Sequence, residues 1–225
     1  MNYIVYLLLL GLLQNPNYQL IKVEYENSDI FTNKIDSSFW NIISPYKKML
    51  DVDMNEVLCY SVTEMKKGQP ESLLGNWTAD LCLKKAQELF QDTIDMALFN
   101  NGGLRSSLSE GNITKREIYQ LMPFENELVV LSLTLDDVND LMNYLNHTGG
   151  QPSAFSDWFQ IDELPFYVLT TDYLANGGDK MRFFNNKYQN VLGVKMRDAI
   201  IQYCSQKDTI ATQLDNRHFY FMSDE

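Results

Sequence analysis

Histidine is scarce in this 225-residue chain, which has two, His147 and His218. A lone histidine is more often structural than a ligand, so neither suggests a metal centre. Cysteine is nearly as scarce. Cys59, Cys82 and Cys204 form neither a disulfide framework nor a metal-type spacing. Cys59 lies in an expected strand and Cys82 on an expected helix, where a buried thiol is the ordinary reading. Positive charge is in deficit: 18 Lys and Arg against 30 Asp and Glu give a formal net charge of −12. That balance excludes general nucleic-acid binding, which needs a basic face. It leaves room for one small anion in a local pocket.

Long hydrophobic runs are also missing. The apolar run Tyr3–Leu13 is too short to cross a bilayer and has the length of a signal-peptide core. No Lys or Arg precedes it, and polar Gln14-Asn15-Pro16-Asn17 follows it. The alternative is an N-terminal element packed on the domain. Asn-x-Thr sequons begin at Asn76, Asn112 and Asn146. Outside a glycosylating eukaryotic host they are coincidental.

What is present supports one sizeable domain with a proper core: 45% hydrophobic and 12% aromatic residues. Residues 14–34 read as a polar lead-in. Asp36-Ser37-Ser38 can cap a helix over Phe39–Leu50, which Pro45 should kink or restart. Val57–Val62 reads as a strand and residues 66–70 as a loop. Helical spacing of Leu74, Trp77, Leu81, Ala86, Leu89 and Phe90 predicts a helix over Ser72–Gln91 with one buried face. Gly75 inside it implies close approach of a backbone or a ligand. Met96–Phe99 and Leu128–Leu133 are apolar strands. Thr114-x-x-Glu117 and Thr134-x-x-Asp137 are capping boxes that open two helices. Phe166–Thr170 is a further strand. Val191–Tyr203 reads as a helix with Val194, Ile200, Ile201 and Cys204 inward. Residues 206–225 read as a tail with one short apolar stretch, His218–Met222. Helices and strands without regular alternation predict an α+β (mixed α/β) fold, a single layered domain of mixed sheet and helices.

The chemistry concentrates between Asp95 and Asn126. A short apolar run leads into Asn100-Asn101-Gly102-Gly103-Leu104-Arg105, and Pro123-Phe124-Glu125-Asn126 follows. The glycine pair frees the backbone for φ > 0 and close approach to a ligand. A cation, amides and an aromatic ring placed in a loop suit a small planar anion such as a nucleotide. A second strand runs into a second glycine pair, Gly177-Gly178, and the two units can face one pocket.

These stretches resemble the 5'-nucleotidase family, in its C-terminal, substrate-recognition domain. The family's Asn-Gly-Gly-Gly-Ile-Arg is similar to residues 100–105, and its Pro-Phe-Gly-Asn loop to residues 123–126. Its Glu-x-x-Leu-Gly-Asn-Leu-x-Ala-Asp helix is similar to Glu71-Ser72-Leu73-Leu74-Gly75-Asn76-Trp77-Thr78-Ala79-Asp80. Its Phe/Tyr-Leu-Ala-x-Gly-Gly-Asp loop is similar to Tyr173-Leu174-Ala175-Asn176-Gly177-Gly178-Asp179. The resemblance covers roughly residues 34–203 and implies a layered mixed sheet. It also implies a base stacked between Phe124 and Tyr173, with Arg105, Asn100, Asn126 and Asp179 on ribose and phosphate, and export to the periplasm or cell surface.

The family hydrolyses phosphate esters with two metal ions held in its N-terminal domain. The motifs for those metals are missing. His147 is followed by Thr148 instead of an acid, no Asp-x-His stretch occurs, and Gly178-Asp179-Lys180-Met181-Arg182 lacks a second acid. The resemblance therefore implies no cofactor in this chain, no hydrolysis by it alone, and a divalent metal in a separate metallophosphatase partner. Three departures matter. No arginine precedes Glu71, unless Lys66 or Lys67 substitutes. Glu125 stands where the family has glycine and brings negative charge near an anion site. Residues 152–165 are shorter than in the family, as if a piece of sheet were missing. A non-catalytic nucleoside- or nucleotide-binding module and a decayed family member stay open beside the main reading.

Overall fold

The computed structural model describes residues 37–157 and 164–218. Tyr3–Leu13, Trp158–Glu163 of the shortened segment and Phe219–Met222 of the last apolar stretch lie outside the described residues. The chain divides into two compact units between Lys47 and Lys48. Of the first, residues 37–47 are described; they form the start of helix α1 (Ser37–Met54). The helix runs on through Pro45. The carbonyl that the proline leaves without a donor is that of Asn41, and both residues are exposed, so water can satisfy it.

The second unit holds two sheets. Strands β1 (Val57–Ser61), β3 (Gly111–Thr114) and β8 (Thr209–Ile210) form the smaller, in the order β3-β1-β8. Strands β2 (Met96–Leu98), β4 (Glu127–Leu133), β5 (Ser153–Phe155), β6 (Phe166–Thr171) and β7 (Gln189–Lys195) form the larger, in the order β5-β2-β6-β4-β7. Both sheets mix parallel and antiparallel pairs, so the fold is mixed α/β. Around them lie α2 (Leu73–Gln87), α3 (Lys115–Leu121), α4 (Leu135–Thr148), the single turn α5 (Asp172–Ala175) and α6 (Met196–Ser205).

The larger sheet is covered on both faces, which is why β4 reads as an almost unbroken apolar run. Leu128 and Val130 point into a core shared with α2, α6 and the small sheet. Val129, Leu131 and Leu133 point the other way, against Val138, Leu141 and Leu145 of α4. Both capping boxes form: the Glu117 carboxylate accepts from the Thr114 amide at 2.7 Å, and that of Asp137 from the Thr134 amide at 3.0 Å. All three cysteines are buried.

One expected element changes type. Val191–Tyr203 is not a continuous helix; its first part is β7, and α6 starts at Met196. Val191 pairs with Val129 and Lys195 with Glu127, so the free edge of β4 captures a stretch whose spacing also fits a helix. Gly193 adopts φ 69° there, a conformation no helix accommodates. Pairing also finds strands that are too short to show a period. β5 lies in the segment expected to lack sheet, and β8 lies in the expected tail. Farther along that stretch, Arg217 donates to Asp80 at 2.6 Å and to Asp215 at 2.7 Å.

Leu169 sits fully buried in β6, whose neighbours are β2 and β4. Leu169→Ala is expected to destabilise the unit by about 2–5 kcal/mol in urea unfolding, with no loss of secondary structure in the folded baseline.

Candidate functional site

Topology brings three separate loops to one edge of the larger sheet. β2 and β6 are parallel, so the chain leaves both at the same end. Residues 99–105 follow one and residues 172–179 the other. β4 is antiparallel to β6, with Leu128 opposite Thr171, so residues 122–126 enter β4 at that end too. This is the edge at which open α/β sheets most readily bind ligands.

The six residues singled out from the sequence all line one cavity there. Asn100, Arg105, Phe124, Asn126, Tyr173 and Asp179 surround about 360 Å³, with Gly102 and Gly103 completing the wall. That volume lies within the range of small-ligand sites. Phe124 and Tyr173 are 41% and 47% exposed, so both rings remain reachable.

Asp179 ties two of the loops together. Its carboxylate accepts from the Asn100 amide at 2.5 Å and from the Tyr173 hydroxyl at 3.0 Å. Its backbone is left-handed, φ 49°, a state that Asp tolerates better than most residues. Gly177 before it is left-handed as well, φ 85°. Gly178 is needed for space: a Cβ there would lie 2.5 Å from the Tyr173 ring. The first pair works in the same way. Neither Gly102 nor Gly103 turns to positive φ, but a Cβ on Gly103 would lie 2.7 Å from the Asn100 side-chain oxygen. Of the two expected reasons for glycine in the first loop, positive φ is absent and close approach holds at Gly103, where the neighbour is the Asn100 side chain.

Arg105 folds back on its own loop. One guanidinium nitrogen donates to the Gly102 carbonyl at 3.3 Å, and the group lies 6.0 Å from the centre of the Phe124 ring. Lys67 donates to the Leu104 carbonyl at 3.1 Å, beside Arg105, whereas Lys66 pairs with Glu64. Of the two lysines, Lys67 is therefore the one that supports the site, through its wall.

Glu125 does not bring free negative charge to the cavity. Its carboxylate pairs with Lys195 at the end of β7 and with Arg197 in the first turn of α6. Those two cations hold its carboxyl down to about 2. Both cations are in reach because the pairing of β4 with β7 sets the β7–α6 junction beside the loop.

The Glu71–Asp80 landmark does other work. Asn76 is buried, and its amide donates to Glu71 at 2.6 Å and to the Gln213 carbonyl at 3.0 Å. Glu71 also accepts from the Asp215 amide at 2.8 Å, and Asp80 holds Arg217. These side chains fasten the C-terminal stretch to α2, and the Asn76 sequon is inaccessible. A Cβ on Gly75 would lie 2.9 Å from the Ser72 hydroxyl that caps α2, so the close approach is by the helix's own capping side chain. Trp77 is core, edge-on to Tyr203.

Two contributors escaped the sequence reading. Tyr144 of α4 donates its hydroxyl to the Asp179 carbonyl at 3.1 Å. Burial and the Asp179 charge raise its pKa. The other is Arg197. It falls on the inward stripe of Ile200, Ile201 and Cys204, where a cation among apolar residues was the available signal. Among the described residues no group of three or more His, Cys, Asp or Glu could hold a metal ion, and no helix is long and apolar enough to cross a membrane.

Residues 53–164 match the family model of the 5'-nucleotidase C-terminal domain. The trifunctional nucleotide phosphoesterase protein YfkN of Bacillus subtilis is 31% identical over 153 residues, which are 62% of this chain and 10% of that protein. In structure, the 5'-nucleotidase precursor of Thermus thermophilus superposes with a TM-score of 0.65 at 21% identity, over 81% of this chain and 43% of that one. The NAD nucleotidase of Haemophilus influenzae gives 0.54 at 17% identity, over 77% and 40%. The chain thus spans about a tenth of that curated relative and less than half of each solved one. By sequence match over residues 53–164 and by fold, the chain belongs to the 5'-nucleotidase family as its C-terminal domain.

Proposed function

We propose that this chain is a nucleotide-recognition domain that binds base and ribose and relies on a separate metallophosphatase chain for hydrolysis. The observation that carries the reading is the convergence, at one sheet edge, of two reachable aromatic rings, a cation, two amides and a carboxylate around one cavity. Phe124 and Tyr173 stack the base. Asp179 accepts from the vicinal ribose hydroxyls, for which its contacts with Asn100 and Tyr173 are the present stand-ins. Arg105, with Asn100 and Asn126, completes the contacts to ribose and phosphate; its fork suits a phosphate. The partner supplies divalent metal, which activates the attacking water and stabilises the leaving oxygen. Nucleotide catabolism is the process this combination serves. Export to the periplasm or cell surface is part of the same proposal and rests on the Tyr3–Leu13 run.

Calorimetric titration of the purified chain with adenosine and AMP tests the recognition step. Stacking a base on an aromatic side chain contributes about 1–3 kcal/mol, so Phe124→Ala is expected to weaken binding by roughly 5- to 150-fold. Equal affinity in the variant would remove the aromatic slot. The partner step is tested by mixing the chain with a metallophosphatase encoded beside it. Hydrolysis above that of the partner alone is expected; saturable binding with no gain in hydrolysis would instead identify a non-catalytic binding module.

Gly178→Ala probes the other wall. The added methyl has to displace the half-exposed Tyr173 ring and with it the hydrogen bond to Asp179. The expected result is at least fivefold weaker adenosine binding with a stability loss below about 1.5 kcal/mol, measured by titration and urea unfolding on the same sample.

A further inference from the structure

We infer that Arg197, with Glu125 as its counter-ion, is the positioning residue of the aromatic loop: it holds residues 122–126 in the conformation that presents Phe124 and Asn126 to the cavity. Its consequence for binding rests on the nucleotide-recognition reading; the ordering of the loop does not.

The loop needs an external support. It lies between α3 and β4 and has no regular structure of its own. Proline occupies its second position and supplies no N–H. Three of its carbonyls are taken by the start of α6. The first guanidinium nitrogen of Arg197 donates to the Met122 carbonyl at 3.4 Å and to the Phe124 carbonyl at 3.3 Å. The Met196 amide donates to the Asn126 carbonyl at 3.0 Å. The second guanidinium nitrogen holds the Glu125 carboxylate, which also takes Lys195. The face of the guanidinium lies 4.4 Å from the centre of the Tyr119 ring in α3. One side chain therefore touches the helix before the loop, two carbonyls inside it, and the acid next to Phe124.

The chemistry calls for arginine. A planar fork with separate nitrogens can serve carbonyls and a carboxylate together while stacking on a ring; an ammonium cannot. Arg197 is 5% exposed, so its charge is stable there only when paired. Glu125, which stands where the resembling family carries glycine, is that pair. Here the acid replaces backbone freedom with an anchored conformation, and Phe124 is held through its own carbonyl and through the neighbouring Glu125 carboxylate.

The pH dependence follows. Glu125 has a folded pKa near 2, lowered from 4.5 by Lys195 and then Arg197. A depressed carboxyl pKa gives an interaction fully present above pH 4.5 and lost as pH falls toward 2. The groups facing it are Lys195 from β7 and Arg197 from α6, with Tyr119 of α3 against the Arg197 guanidinium. Asp198 acts on Lys195 and not on the loop directly.

The test compares the wild-type chain with Arg197→Lys and Glu125→Gln by amide ¹⁵N relaxation and by adenosine titration. Wild-type order parameters at Phe124, Glu125 and Asn126 are expected near 0.85. Both variants are expected to fall below about 0.6 there, with residues 176–178 unchanged. Adenosine affinity is expected to fall about tenfold or more in both. Acidification below pH 4.5 should loosen the loop in wild type and leave Glu125→Gln unaffected. If Arg197→Lys does not fold, Glu125→Gln, which alters an exposed side chain, carries the test alone. Unchanged order in a folded variant, or loop loosening in Glu125→Gln with the same pH midpoint as wild type, overturns the inference. A wild-type chain that binds no adenosine, with variants that still lose loop order, would overturn the recognition reading and leave the positioning role standing.

Discussion

The pairing of β6 with β2 on one side and β4 on the other is the constraint on which the site depends. It is parallel on one side and antiparallel on the other. That arrangement alone puts the exits of β2 and β6 and the entrance of β4 at one sheet edge. Reversing either pairing would send one loop to the far end, about a strand's length away, and separate Phe124 from Tyr173. The pairing is enforced from both faces, because the alternating side chains of β4 and β6 enter two different cores. A slip by one residue would exchange those faces completely. Site geometry and core packing are thus one problem with one solution.

The polar residues divide into those that build the wall and those that remain free to meet a ligand. Glu71, Asn76 and Asp80 are spent on Gln213, Asp215 and Arg217, which bind the C-terminal stretch to α2. Glu125 is spent on Lys195 and Arg197. Asp179, Asn100 and Tyr173 contact one another but stay at the cavity surface, where a ligand with hydroxyl groups could take over their hydrogen bonds. In a chain of net charge −12, this pairing of acids with specific cations keeps the cavity around Arg105 from being dominated by negative charge.

Local features were legible where local physics decides. The capping boxes at Thr114 and Thr134 and the unbroken apolar run of β4 were readable from spacing, and the six cavity residues from motifs that resemble those of the family. Features set by distant partners were not. β7 has a pattern that also fits a helix, and the free edge of β4 decided the matter. β5 and β8 are too short to show a period. The glycine pairs announced an unusual backbone, but only three dimensions show that Gly103 serves close packing against Asn100, while Gly177 serves a left-handed turn. Glu125 looked like misplaced charge until its partners, about seventy residues away in sequence, came into view.

The central claim is that Phe124 and Tyr173 form the two walls of a slot for a base. The most direct measurement is the NMR spectrum of both side chains, selectively labelled, during adenosine addition. A base stacked in the slot shifts both rings upfield together, saturably, and moves the Asp179 amide with them. Saturable binding that leaves either ring unmoved, or shifts confined to another face of the domain, would contradict the account.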